Sequence, residues 1–317
     1  MERFEPYDAD FLPPREAFTA ALRVLIISAC SRGEVATSPF AELYDLRKAN
    51  VRYLFRWLRE AGILRISKEE RAGGFPRRYY VTVRQREFLD EEFAQMAPKE
   101  RQGVSLGVLW DLSERCREAC EAGTINALPG SHLSRFDLLL DLEGWTAVMV
   151  ELKRIFDRSF EIQAEALSQL KVHPEVLLGV TFALAGFEAP RPSRLAPGET
   201  PLSRRLGPTW AVASNFSAHA RLALRDGTMD ARDDSHLTWS PFVLTPRSWQ
   251  DLSAELTRSR ARILEIQAAA TSRLELSAEK AIPTTVALFG FKSAGIYNPS
   301  AEMPLAWPPP EFTPFHP

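Results

Sequence analysis

Seven side chains between residues 48 and 78 carry the donor groups that read nucleic acid: Lys48, Arg52, Tyr53, Arg56, Arg71, Arg77 and Arg78. An arginine can place two hydrogen bonds on a guanine edge, and a lysine or tyrosine can reach a phosphate. Lys48, Arg52, Tyr53 and Arg56 follow helical spacing, and Arg71, Arg77 and Arg78 flank the pair Gly73-Gly74. The chemistry on offer is recognition of a polyanion, not bond making. The plain structural alternative is a solvated cationic face, which many amphipathic helices carry.

Placing these donors needs a helix and a hairpin. Val51, Leu54, Phe55 and Leu58 recur at i, i+3, i+4 and i+7, so the segment 47–61 predicts an amphipathic helix with its cations on the opposite side. Gly62 stands where that helix should stop. Ile63 to Ile66 predicts a strand, the basic Gly-rich stretch a loop, and Tyr79 to Val83 a returning strand, giving a wing over 67–80. Upstream, a first helix is expected from Arg15 to Cys30 with Leu22, Leu25, Ile26 and Ala29 inward. A second is expected from Pro39 to Leu46, with Ser38 as N-cap and Pro39 at N1. Two short helices and a turn at this spacing form a helix-turn-helix.

The run Asn50-Val51-x-Tyr53, Arg56-x-Leu58 and Leu58-Arg59-Glu60-Ala61-Gly62-Ile63 resembles the recognition helix of winged-helix regulators of the ArsR type. Gly73-Gly74-Phe75-Pro76-Arg77-Arg78-Tyr79-Tyr80 is similar to the wing of that group. The resemblance covers residues 15 to 86. It implies a winged helix-turn-helix that binds double-stranded DNA and regulates transcription. Metal-sensing members of that family carry Cys-x-Cys in the helix before the recognition helix. Phe40 to Leu46 holds no Cys or His, so the resemblance lends no support to metal sensing.

Charge is divided along the chain. Residues 15–86 hold 15 Lys and Arg against 7 Asp and Glu, a net of +8, while the whole chain of 317 residues is −2. A basic head on an acidic body confines polyanion binding to the first quarter. The cysteines Cys30, Cys116 and Cys120 are too few and scattered for a disulfide framework. Cys116 and Cys120 sit at i, i+4, where two metal ligands could lie, but small buried cysteines are common and packing is the expected role. No apolar run has transmembrane length and the opening MERFEPYDADF is acidic, so a cytoplasmic protein is expected. No phosphate-cradling loop, nucleophile elbow or His/Glu metal cluster is present in the sequence, and neither an enzyme nor a cofactor is expected.

Beyond the head the chain matches itself. Shifted by 104 residues, 101–187 aligns with 205–291 without a gap and with 31 identities in 87 positions. Ser131-His132-Leu133 meets Ser235-His236-Leu237, and Trp145 meets Trp249. Each copy is expected to run α-β-β-α-β: a helix near Val108 to Ala122, a strand pair over Thr124 to Leu140, a long helix from Leu142 to Val172, and a strand from Leu177 to Phe187. Asp141 and Thr245 are expected caps of the two long helices. The fold class is therefore α+β: a winged helix over 15–90, body units over 101–188 and 205–292, a linker from Glu188 to Arg204, and a Pro-rich tail over 293–317.

Two fused copies can pair within one chain as a pseudo-twofold body, but that leaves one head per pseudo-dimer, and the expected state is a homodimer, which supplies two heads for a palindromic site. His132 and His236 recur with the repeat and read as turn-fixing residues, with an effector contact as the functional alternative. Trp110, Trp210 and Trp239 do not recur and are the aromatic candidates for a small-molecule effector pocket. The expected function is a sequence-specific DNA-binding regulator. The competing reading is a protein-interaction module that uses the winged helix as a scaffold and the acidic body as a docking surface.

Overall fold

Two segments 104 residues apart, Val-Thr-Phe-Ala-Leu-Ala-Gly-Phe at 180–187 and Thr-Thr-Val-Ala-Leu-Phe-Gly-Phe at 284–291, are nearly continuous apolar runs. A strand with water on one face alternates, whereas one covered on both faces does not. These two become the inner strands of the larger sheet. The structure is a computed structural model and describes residues 15–72, 75–83, 93, 95–170, 177–190, 201–229, 231–232, 234–276 and 280–294. In chain order the elements are α1 (Arg15–Arg32), β1 (Val35–Ala36), α2 (Thr37–Leu43), α3 (Lys48–Glu60), β2 (Leu64–Ala72) and β3 (Phe75–Thr82). They are followed by α4 (Pro98–Glu121), β4 (His132–Leu140), α5 (Leu142–Leu170), β5 (Leu178–Glu188), α6 (Pro201–Asp226), β6 (His236–Leu244), α7 (Pro246–Leu276) and β7 (Ile282–Lys292). Helices and strands are mixed, and both sheets are antiparallel: β1-β3-β2 in the head and β4-β7-β5-β6 in the body.

The body has three layers. Ala183, Ala185, Phe187, Ala287, Phe289 and Phe291 pack with Trp110 of α4 and Phe216 of α6. Their neighbours Val180, Phe182, Leu184, Val286 and Leu288 pack with Trp145 of α5 and Trp249 of α7 on the other side. The period-2 side-chain alternation of a strand assigns each residue to one layer.

The register has a twofold character. In the central β5–β7 pair Leu184 faces Leu288, and those positions are 104 apart. The outer strands cross over: β4 pairs with β7, and β6 with β5, so each outer strand joins the inner strand of the other half. The helices follow suit. Ser113 Oγ lies 2.6 Å from Ser217 Oγ, again 104 apart. Trp145 Nε1 donates to Asp234 at 2.7 Å, and Trp249 Nε1 to the Pro129 carbonyl at 2.8 Å. Both expected caps form, with Gly144 N–H on Asp141 at 2.7 Å and Ser248 N–H on Thr245 at 3.1 Å.

Several expectations are corrected. The strand pair over Thr124 to Leu140 is one strand, β4, so each half runs α-β-α-β. Residues 124–131 are taken by turns, with Thr124 N–H returning to the Ala119 carbonyl at 2.8 Å and Ser131 N–H to that of Leu128 at 3.2 Å. Helix α4 starts ten residues before Val108, at Pro98, and α6 starts at Pro201, inside the expected linker. Helix α2 starts at Thr37, and no side chain caps it. Ser38 and Pro39 lie in its first turn, where a proline's missing N–H removes no bond. The tail beyond residue 294 lies outside the described residues.

Helix α1 belongs to both head and body. Leu22, Leu25, Ile26 and Cys30 join the head core, which is continuous with the body core through Trp110 and Leu109. Its other face meets α4 at glycines. A Cβ on Gly103 would lie 2.2 Å from the Ala17 carbonyl oxygen, and one on Gly107 2.7 Å from Val24 Cβ. Beside this seam Ser28 Oγ donates to Asp111 at 2.5 Å, Arg115 donates to Ser28 Oγ at 3.1 Å, and the Arg115 guanidinium lies 4.1 Å over Trp239. Among the described residues no helix is long and apolar enough to cross a membrane.

Candidate nucleic-acid interface

Helix α3 buries Val51, Leu54, Phe55 and Leu58. Phe55 meets Phe40 of α2 and Tyr80 of β3 edge-on, with ring centroids 5.6 and 5.1 Å away, which fixes the helix between its two neighbours. Its end is set by a Schellman motif. Gly62 has φ +71°, Ile63 N–H donates to the Leu58 carbonyl and Gly62 N–H to that of Arg59, both at 2.9 Å. Burial of this stripe turns Lys48, Arg52, Tyr53 and Arg56 outward, all four exposed, Tyr53 at 56%.

The hairpin places the other three cations. β2 and β3 pair from Leu64↔Thr82 to Ala72↔Phe75, with a register shift between Ile66 and Lys68. Arg71 and Arg78 are exposed and Arg77 half-buried. Glu42 of α2 accepts from Lys48 Nζ at 2.8 Å, and that hydrogen bond, with the charge of Arg77 on the hairpin as a lesser influence, lowers its carboxyl.

Register also brings carboxylates that the spacing of the cations did not announce. Arg78 Nε donates to Glu69 at 2.6 Å, and Lys68 pairs with Glu70 at 3.0 Å and Glu34 at 3.2 Å. Tyr79 O–H donates to Glu70 at 2.9 Å. The Lys68 hydrogen bond and then that of Tyr79 hold the Glu70 carboxyl below the usual range, as Lys48 does for Glu42, and Glu69 raises Arg78. Arg56 is weakly tied, 4.0 Å from Glu60 and over the Tyr53 ring at 5.8 Å. Arg52, Arg71 and Arg77 have no ion-pair partner among the described residues. Exposed pairs are worth about 0–1 kcal/mol, so a phosphate can displace Glu69 or Glu42, while Arg52, Arg71 and Arg77 are already available. The acidic neighbours are visible in Ser67-Lys68-Glu69-Glu70-Arg71, but only strand register says which cation each one meets.

The five candidate effector residues do not form one site. Trp110, Trp210 and Trp239 lie in the core layer toward α4 and α6, the first two buried. Trp110 packs edge-on against Phe18 of α1 at 6.4 Å, and Trp239 lies under Arg115, so both serve the head–body seam. The histidines are across the sheet. His132 Nε2 lies 3.0 Å from Ser134 Oγ, and His236 meets Phe156 of α5 edge-on at 5.6 Å. Burial, and next the charge of Arg260, lower His132 below its ordinary value. Burial pushes the Cys116 thiol far up and that of Cys120 to about 11. Among the described residues no three His, Cys, Asp or Glu side chains gather as a metal site would require.

Sequence reasoning missed Ser28, Asp111 and Arg115. Their signal was two charges at i, i+4 inside the apolar stretch Val104 to Cys116. No family model, curated protein or solved structure matches the chain.

Proposed function

We propose that residues 15–83 form a winged helix-turn-helix of the ArsR type, that the body is a duplicated α-β-α-β unit, and that the chain is a DNA-binding transcriptional regulator of the cytoplasm. The observation that carries this is the outward row Lys48, Arg52, Tyr53 and Arg56 on a helix whose opposite stripe is locked into the core, beside a cationic hairpin. The recognition helix enters the major groove, Arg52 and Arg56 reach base edges, and Arg71 and Arg77 meet phosphate or minor groove. Retention of fragments from a random duplex pool tests it. Affinity should fall steeply with salt, as counterion release requires, and the double variant R52A/R56A should lose both affinity and base preference. A wild-type protein that retains no duplex at low salt overturns the reading.

Lys68 is occupied by Glu34 and Glu70 and Arg78 by Glu69, which leaves fewer cations for a polyanion and favours a second reading, a protein-interaction module on a winged-helix scaffold. A partner held by apolar contacts would bind nearly independently of salt, which separates the two.

A further inference from the structure

We infer that each chain presents a single DNA-reading head and that its target is one directional, non-palindromic site bound one chain to one duplex. This rests on the DNA-binding reading above and concerns the class of DNA taken.

A palindrome is read by two recognition helices related by a twofold axis, with half-sites one helical turn apart. The twofold in this molecule is internal and already closed. Leu184 meets Leu288, Ser113 meets Ser217, and both outer strands are exchanged between the halves. The contacts that join two subunits in a symmetric dimer are therefore made within one chain, and among the described residues one head is attached to them.

Among the described residues the body offers one seat for a head. That seat on α4 is Gly103 and Gly107, against which α1 packs at backbone distance, followed by Asp111 and Arg115, which bond Ser28 of α1. The positions 104 residues later on α6 are Gly207, Ala211, Asn215 and His219. The ion pair is gone. His219 is turned to its own sheet instead, with Nε2 2.8 Å from Thr285 Oγ1. Residues 191–200, which lead into α6, are also too few to hold a second head. The two halves of the body have diverged at the place where a head is anchored, and the asymmetry is built into the covalent chain.

The test uses the full chain and a duplex library whose random core, about 30 base pairs, can hold two half-sites. Selected sequences should share one block without dyad symmetry. Light scattering of the complex should give one chain of 35.7 kDa per duplex. The log–log salt slope should be about −4 to −5, as expected if one head neutralises about five phosphates. An inverted repeat with two chains per duplex and roughly twice that slope would overturn the one-head inference and leave DNA binding intact. No selected duplex at low salt would remove the DNA-binding reading and this inference with it. As a control, R52A should lower retention without changing the number of chains per duplex.

Discussion

At the scale of single residues, the interface is decided by which cations are already occupied. Arg52 stands without an ion pair among the described residues, whereas Arg78 is held by Glu69 at 2.6 Å. R52A should therefore cost about 1–3 kcal/mol of DNA affinity and relax preference at one base, if that arginine reads a base. R78A should cost less, and E69Q should strengthen binding, up to about fivefold, because an exposed pair is worth about 0.2–1 kcal/mol. Titration curves of the three variants against one selected duplex decide this, and weaker binding by E69Q would show that Arg78 is not a phosphate contact. Two half-buried imidazoles make a further residue-scale prediction. Burial lowers both His132 and His219, with Arg260 and Arg135 adding to it. The unfolded chain then binds protons more readily than the folded one, so stability is present above the unfolded value near 6.5 and is lost as pH falls through the folded values. Denaturant midpoints should decline below about pH 6.5, and replacing both histidines by glutamine should flatten that decline. Asp141 acts lower on the scale. The Arg273 guanidinium, donating at 2.9 Å through Nη2, holds its carboxyl at about 2, so its contribution is present above the unfolded value and is lost between about pH 4 and pH 2. R273Q should shift that loss to higher pH.

At the scale of elements, α1 is the piece on which everything is mounted. It closes the head core with one face and lies against α4 with the other, so it is apolar nearly all round, as a helix buried between two layers must be. The glycines of α4 permit the close approach. G103A would drive a methyl to within 2.2 Å of a backbone oxygen, which must move. The expected cost is about 1–3 kcal/mol, the range for overpacking. The expected signature is a head that is clipped from the body by protease at concentrations that leave the wild type whole. Unchanged protease resistance would mean that α1 and α4 are not seated this tightly. Helix α3 makes the contrast between legible and illegible: its stripe and its glycine stop are written in consecutive residues, whereas the acidic partners of the hairpin follow from register. The expected strand pair over Thr124 to Leu140 failed for the same reason, since Thr124 and Ser131 satisfy their N–H groups in local turns that alternation of side-chain type does not report.

At the scale of the whole molecule, strand exchange makes the two halves interdependent. β4 and β5 belong to one half but are separated by β7 of the other, so neither half builds a sheet by itself. The body should unfold as one unit, with a single calorimetric transition. Chains 1–195 and 196–317, produced together from separate messages, should purify as one complex, and either one alone should aggregate or self-associate. A soluble, folded monomer of 1–195 would show that the exchange is dispensable.

What the sequence by itself determined is local or periodic: the amphipathic α3, its stop at Gly62, the caps Asp141 and Thr245, the matching of Trp145 with Trp249, and a 104-residue spacing that survives as strands with the same offsets. These are legible because neighbours three or four residues apart, or identical positions in two copies, carry the information. Tertiary structure alone decided that outer strands pair with the other half, that Trp110 and Trp239 serve the head–body seam and lie across the sheet from His132 and His236, and that Ser28 meets Asp111 and Arg115 from 83 and 87 residues away. Such contacts depend on which faces come together when apolar surface is buried. Several pairings of strands with the same apolar pattern bury that surface about equally, and the choice among them is made by the packing of the whole chain.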